Sequence, residues 1–170
     1  MLSEPKIEHR DEQHTAAIRV HVAPHEIGEV VPPLCDEVLA WLKDKDITPA
    51  GPPYFRYLVI DMDEELFMEA GVAVESPVEG DDRVSAEHFP SGLYATAVHK
   101  GHPDELEAST AELLQWATDN SIEWQMGQTA QGEAWVARTE FHLTDAEAEP
   151  DMNNWETELA FLTKINDSSS

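Results

Sequence analysis

The feature that most constrains this chain is an internal echo. Glu37-Val38-Leu39-Ala40-Trp41 followed by Ile47 returns as Glu112-Leu113-Leu114-Gln115-Trp116 followed by Ile122. Trp41 and Trp116 stand 75 positions apart, as do Ile47 and Ile122. The same offset lays Ile18, Val20 and Val22 on Leu93, Ala95 and Ala97. A strand, a helix and the spacing between them therefore recur together. A chain of this kind folds as two similar lobes, and the seam between packed units is a common small-molecule site. The repeats run over about 7–78 and 84–165, within a single domain spanning 1–165. Residues 166–170 read as a frayed polar tail. Two copies are too few for a solenoid, which needs three or more.

Local patterns fill in each half. Residues 17–22 alternate, with Ile18, Val20 and Val22 on one side and Arg19 and His21 on the other, the period of a half-buried strand. Pro32 and Pro33 suit a first helical turn, where a missing N–H costs little. Val31, Leu34, Cys35, Val38, Leu39 and Leu42 then form an apolar stripe at helical spacing, to about residue 45. Strands are expected over 54–60 and 67–74, with Gly71 marking a bulge. The second half repeats the order. A strand covers 93–98, and a helix opens after Gly101-His102-Pro103 with Asp104 and Glu105 at its positive end. A polar loop covers 120–132, a strand 134–143, a loop 145–154 and a last strand 155–165. The chain leaves room for a further strand near Ile7 or Val84. The resulting fold class is α+β: duplicated strand-helix-strand-strand units forming one curved antiparallel sheet, with two helices on one face and a ligand cleft between the halves.

Charge narrows the partners. With 35 acidic residues against 10 basic ones, the formal charge is −25. Such a field repels phosphate backbones and anionic membrane surfaces, so neither direct nucleic-acid nor membrane binding is expected. It attracts cations, organic ones included, although its ordinary role is solubility or life in high salt. Cys35 is the single cysteine, which excludes an internal disulfide and reads as a small buried thiol. The N-terminal residues lack a signal-peptide pattern and no apolar run reaches a membrane span, so a cytoplasmic protein is expected.

Candidate chemistry concentrates on two strands. Alternation through 135–143 puts Arg138, Glu140 and His142 on one side and Thr139, Phe141 and Leu143, together with Trp135 and Ala137, on the other. The apolar side is expected to meet the helices and the polar side to face solvent or a groove. Glu140 then pairs with Arg138 or Arg56, or serves as a mid-strand carboxylate for a cation. In the last strand, Glu156 and Glu158 share one face, and Trp155, Thr157, Leu159 and Phe161 the other. A carboxylate ringed by aromatics attracts cations. If desolvated, it also gains a raised pKa suited to general acid–base work. Tyr57, Phe67, Tyr94 and Trp124 are further candidates to line such a pocket. His99-x-x-His102 and His21-x-x-x-His25 have metal-like spacings but no third ligand nearby. The acidic run 61–65 lacks a calcium-loop pattern, so no metal or other cofactor is expected.

Three stretches together resemble the gyrase-inhibitor-like small-molecule-binding domains, which also serve as effector-binding domains of bacterial multidrug-responsive transcription activators. Thr139-Glu140-Phe141-His142-Leu143-Thr144-Asp145 is similar to the family's aromatic–Glu–aliphatic–Tyr–Leu–Asn–Asp strand and turn. Residues 155–161 are similar to its closing strand, and Gly51-Pro52-Pro53-Tyr54-Phe55-Arg56-Tyr57 to the equivalent of the first half. Thr139 stands where an aromatic is usual and His142 where a tyrosine is usual. The resemblance implies a cleft between pseudo-symmetric halves that takes bulky aromatic, often cationic compounds. Glu140 would contact the ligand, with His142, Tyr57, Phe67, Tyr94, Trp155 and Glu158 around it. It also implies two alternatives. One is a hydrolase opening strained cyclopropane rings of DNA-alkylating natural products, with Glu140 catalytic. The other is a gyrase-inhibitor-type module that holds a protein partner. No DNA-binding helix-turn-helix is read in the sequence.

Overall fold

The computed structural model describes residues 2–61, 63–145 and 148–165; the tail expected at 166–170 lies outside them. The strands are β1 (Lys6–Arg10), β2 (Gln13–Val22), β3 (Pro53–Ile60), β4 (Leu66–Ala73), β5 (Ser85–Phe89), β6 (Gly92–Lys100), β7 (Met126–Thr129), β8 (Gly132–Trp135), β9 (Arg138–His142) and β10 (Glu156–Leu162). The helices are the single turn α1 (Ile27–Val30), α2 (Pro32–Asp44) and α3 (Leu106–Asp119). One antiparallel sheet runs β1-β6-β10-β9-β3-β4-β2-β5, with β8 on the far part of β3 and β7 on β8. The α+β class and the curved sheet with two main helices on one face hold. Further strands stand near both Ile7 and Val84, as β1 and β5. Each pairs outside its own half: β1 with β6, β5 with β2.

Both long helices end in the same way. Asp46 and Ser121, the non-glycine residues of positive φ among those described, at 56° and 58°, stand 75 positions apart, the spacing of the sequence echo. Behind them the Ile47 N–H donates to the Leu42 carbonyl at 2.9 Å and the Ile122 N–H to the Ala117 carbonyl at 2.8 Å. This cap satisfies carbonyls that the helix leaves unpaired. Helix α2 buries Leu34, Val38 and Leu42 on β2 and β4, and α3 buries Leu113 and Ala117 by β6. The central strands β3 and β9 lie between those two supports.

Register identifies the faces. The row Ile18–Ala70–Phe55–Glu140–Leu159–Ala97 crosses six strands, and opposite residues share a face. Its ends belong to the apolar clusters under α2 and α3. The next row, Ala17–Gly71–Tyr54–Phe141–Glu158–Val98, therefore lies on the helix-free face.

Three expectations need correction. The polar side of β9 faces the helices, and Thr139 and Phe141 join Tyr54 and Phe89 on the other side. Pairing with Phe55 and Leu159 carries Glu140 onto that face, so cross-strand register overrides local hydropathy. The stretch 134–143 is two strands, broken at 136–137. The break flips the phase, so Trp135 packs with Leu113 beneath α3 while Ala137 packs with Tyr54. It matches a bulge in β3 between Tyr57 and Val59, where β3 passes from β9 to β8. Lastly, the bulge is not at Gly71. A Cβ there would stand 2.5 Å from the Ala16 carbonyl oxygen, 2.7 Å from the Ala17 Cβ and 2.9 Å from the Tyr54 hydroxyl, so glycine lets β2 and that side chain approach closely.

Candidate functional site

The sheet buries two glutamates, and they are held differently. Glu69 on β4 is fully buried on the helix-free face. It accepts from the Tyr54 hydroxyl at 2.6 Å and from Arg19 Nε at 3.1 Å, and Arg56 stands 3.5 Å away. Arg56 also donates to the carbonyls of His88 and Val136, the latter freed at the break before β9. It lies 4.9 Å over the Phe89 ring. Glu69 thus has two cations and a hydroxyl, as a buried charge requires. Arg56 serves Glu69, and the expected pairing of Arg56 with Glu140 does not form.

Glu140 is 7% exposed and has far less. The Tyr57 hydroxyl donates to it at 3.2 Å. Arg138 lies near enough to favour its charge, though no ion pair within 4.0 Å joins them among the described residues. Burial pushes the Glu140 carboxyl up to about 7, against the downward pull of Tyr57 and Arg138. Burial and the Glu140 charge together hold the Tyr57 phenol well above its ordinary value. His142 packs edge-on to Phe55 with centroids 4.3 Å apart, and burial pulls its imidazole down to about 4, so it is neutral at pH 7. Arg138 Nε and His142 Nε2 are both buried without a hydrogen-bond partner. Orphaned buried polar atoms are uncommon and call for an explanation; here two of them flank a poorly compensated carboxylate.

Aromatic rings complete this face. Arg138 lies 4.7 Å from the Trp135 centroid, 5.1 Å from that of Phe161 and 5.7 Å from that of Tyr57. Trp124 packs on both Trp135 and Phe161, at 6.0 and 5.6 Å. A buried carboxylate, a phenol and several ring faces can stabilise an organic cation or move a proton.

Of the residues expected from sequence, Glu140, His142 and Tyr57 come together, with Trp124 close behind. Phe67 does not join them: it stacks on His21 at 4.5 Å on the helix-free face. Tyr94 and Glu158 are also on that face, lining a cavity of about 440 Å³ with Arg10, Phe89 and Phe141. Glu158 there accepts from Arg10 at 2.7 Å. Trp155 precedes β10, its indole N–H donating to the Glu149 carbonyl at 2.7 Å. In β10 the odd-numbered residues share the Glu140 face, and Glu158 and Ala160 the opposite one. Sequence reasoning missed Phe55, although alternation with Tyr57 would have found it. It named Arg138 only as an ion-pair partner.

The His99 and His102 pair serves structure. His99 is bonded to Ser109 Oγ at 2.6 Å and the His102 carbonyl at 3.2 Å, and His102 Nδ1 accepts from the Asp104 N–H at 3.0 Å. Cys35 is buried, its thiol pushed up to about 12 by burial. Among the described residues no group of three or more His, Cys, Asp or Glu could hold a metal ion, and no helix is long and apolar enough to cross a membrane.

Comparison with known proteins bears on this geometry. The family model of the GyrI-like small-molecule-binding domain matches residues 3–129. The crystal structure of the EcmrR C-terminal domain is similar with a TM-score of 0.74 at 20% identity, covering 96% of this chain and 99% of that one. A protein from Listeria innocua described as a hydrolase is similar at 0.62 and 15% identity, covering 95% and 92%. SAV2435 bound to tetraphenylphosphonium is similar at 0.59 and 9% identity, covering 95% and 94%. At such identities these structures show the fold alone. No curated protein matches the chain. The family match, spanning most of the sequence, assigns the protein: it belongs to the GyrI-like small-molecule-binding domains.

Proposed function

We propose that this domain binds bulky aromatic cations between α2 and α3, with Glu140 as counter-charge and Tyr57, Phe55, Trp135 and Phe161 as ring surfaces. The observation that carries the reading is the buried Glu140, which has one hydroxyl donor where the fully buried Glu69 has two arginines and a tyrosine. A desolvated carboxylate left so poorly compensated favours any cation that replaces the missing partner. The acidic surface, at a formal −25, concentrates cations around the protein. Tetraphenylphosphonium, held by the structurally similar SAV2435, has this chemistry. The matching caps of α2 and α3 support a duplicated scaffold whose seam holds the site.

Fluorescence titration with a cationic aromatic dye tests the assignment on wild type and Glu140→Gln. The expected result is saturable binding that weakens about tenfold in the variant, roughly 1.4 kcal/mol. Equal affinity in both proteins removes Glu140 from the site.

One observation favours a second reading, a ring-opening hydrolase. Glu140 titrates near neutrality against the Tyr57 hydroxyl, as a general acid–base pair does. Glu140 would take a proton from water as the water oxygen bonds to a strained-ring carbon; the ring bond at that carbon breaks, and its electron pair takes up the proton that Glu140 returns. A hydrated product detected by mass spectrometry, and lost in Glu140→Gln, is its expected sign.

A further inference from the structure

The proposed cation site already holds a cation of its own. Arg138 is on β9, two residues from Glu140 and opposite Phe161 of β10, so register places its side chain on the same face as the carboxylate. Its guanidinium lies over Trp135, Phe161 and Tyr57, at 4.7 to 5.7 Å from the ring centroids. Such ring faces attract a positive charge, and a guanidinium stacks on them well.

What the cage does not supply is hydrogen bonding. Arg138 Nε is buried and unpartnered, and no salt bridge within 4.0 Å reaches the guanidinium among the described residues. Burial pulls its pKa below the ordinary arginine value, with Tyr57, Glu140 and Glu133 opposing. Arg56, the more deeply buried of the two, also leaves its Nε unpartnered, but its other two nitrogens have Glu69 and two backbone carbonyls. Arg56 is built into the fold, whereas Arg138 is held by ring faces and a nearby charge, the two things offered to an incoming cation.

We propose that Arg138 is a tethered stand-in for the ligand: its guanidinium fills the aromatic cage beside Glu140 and must swing out before an organic cation enters. The inference rests on the proposed function and adds the residue that sets its threshold. A site filled by its own arginine turns away small or weakly stacking cations and yields to a ligand whose ring area outcompetes the tether. Apparent affinity is the intrinsic affinity reduced by the fraction of time the cage is vacant. A guanidinium resident nine-tenths of the time weakens binding about tenfold.

The test is calorimetric titration with tetraphenylphosphonium of wild type, Arg138→Met, Arg138→Lys and Glu140→Gln. Methionine keeps much of the length and apolar character without the charge. The expected order is a Kd about tenfold lower in R138M than in wild type, R138K within roughly threefold of wild type, and E140Q weaker than wild type. If wild type binds, E140Q weakens and R138M is unchanged or weaker, the stand-in role is overturned while the proposed function survives. If no protein of the set binds, both fall. A measurement on wild type alone guards against a variant that fails to fold. The side-chain NMR signals of Arg138, shifted by the three rings in the free protein, should move toward solvent-exposed values at saturation. Signals that stay in place with ligand bound overturn the proposal.

Discussion

Replacing Glu140 with glutamine should stabilise the protein at alkaline pH while weakening its ligand binding. The carboxyl rises from 4.5 to about 7 on folding because burial removes water that one phenol and a nearby arginine do not replace. Below about pH 4.5 the group is protonated in both folded and unfolded chains and costs nothing. Between 4.5 and 7 the unfolded chain ionises first, and the folded state loses about 1.4 kcal/mol per pH unit. Above pH 7 the full penalty stands at roughly 3 kcal/mol. Glutamine is neutral throughout and can still accept from Tyr57. The stability difference between variant and wild type should therefore move in the variant's favour by roughly 3 kcal/mol between pH 4.5 and 8. Other carboxylates are common to both proteins and cancel. Urea unfolding followed by tryptophan fluorescence at several pH values measures the difference directly. A gap constant to within about 0.5 kcal/mol over that window would mean that Glu140 is hydrated, and the case for a desolvated cation site would fail.

Two more outcomes test the division between the faces. Because a cation needs Glu140 ionised, tetraphenylphosphonium affinity in the wild type should rise through pH 7 and level off above it. On the acid side it should fall toward the roughly tenfold weaker level of Glu140→Gln and level off there, and in Glu140→Gln the pH dependence should vanish. Tyr54→Phe deletes the 2.6 Å bond to the buried Glu69 and should cost about 1.5–3 kcal/mol in denaturant unfolding. It should leave dye affinity unchanged, since Tyr54 faces away from Glu140; a large loss of affinity would mean that the two faces are coupled.

Much of the fold was legible because its signals are local. The period of two in β2, the stripe of α2 and its echo in α3 depend on residues a few positions apart. The echo even extends to the caps, where Asp46 and Ser121 take the same left-handed conformation. Alternation likewise put Arg138, Glu140 and His142 on one side of a strand, and the structure keeps them together.

What the sequence by itself determined is which residues share a face; which face is covered was decided by the tertiary structure. Three polar residues on β9 looked outward by hydropathy, yet pairing with Phe55 and Leu159 turns them toward the helices. The break at 136–137, set against the β3 bulge, carries Trp135 to that same face, where an unbroken strand would have sent it away. Arg56 found Glu69 on its neighbouring strand, and Tyr94 and Glu158 went to a separate cavity. Each of these outcomes depends on register between segments far apart in the chain. A single-residue slip in any of those pairings would exchange the two faces, and nothing within one strand records which register its neighbours will impose.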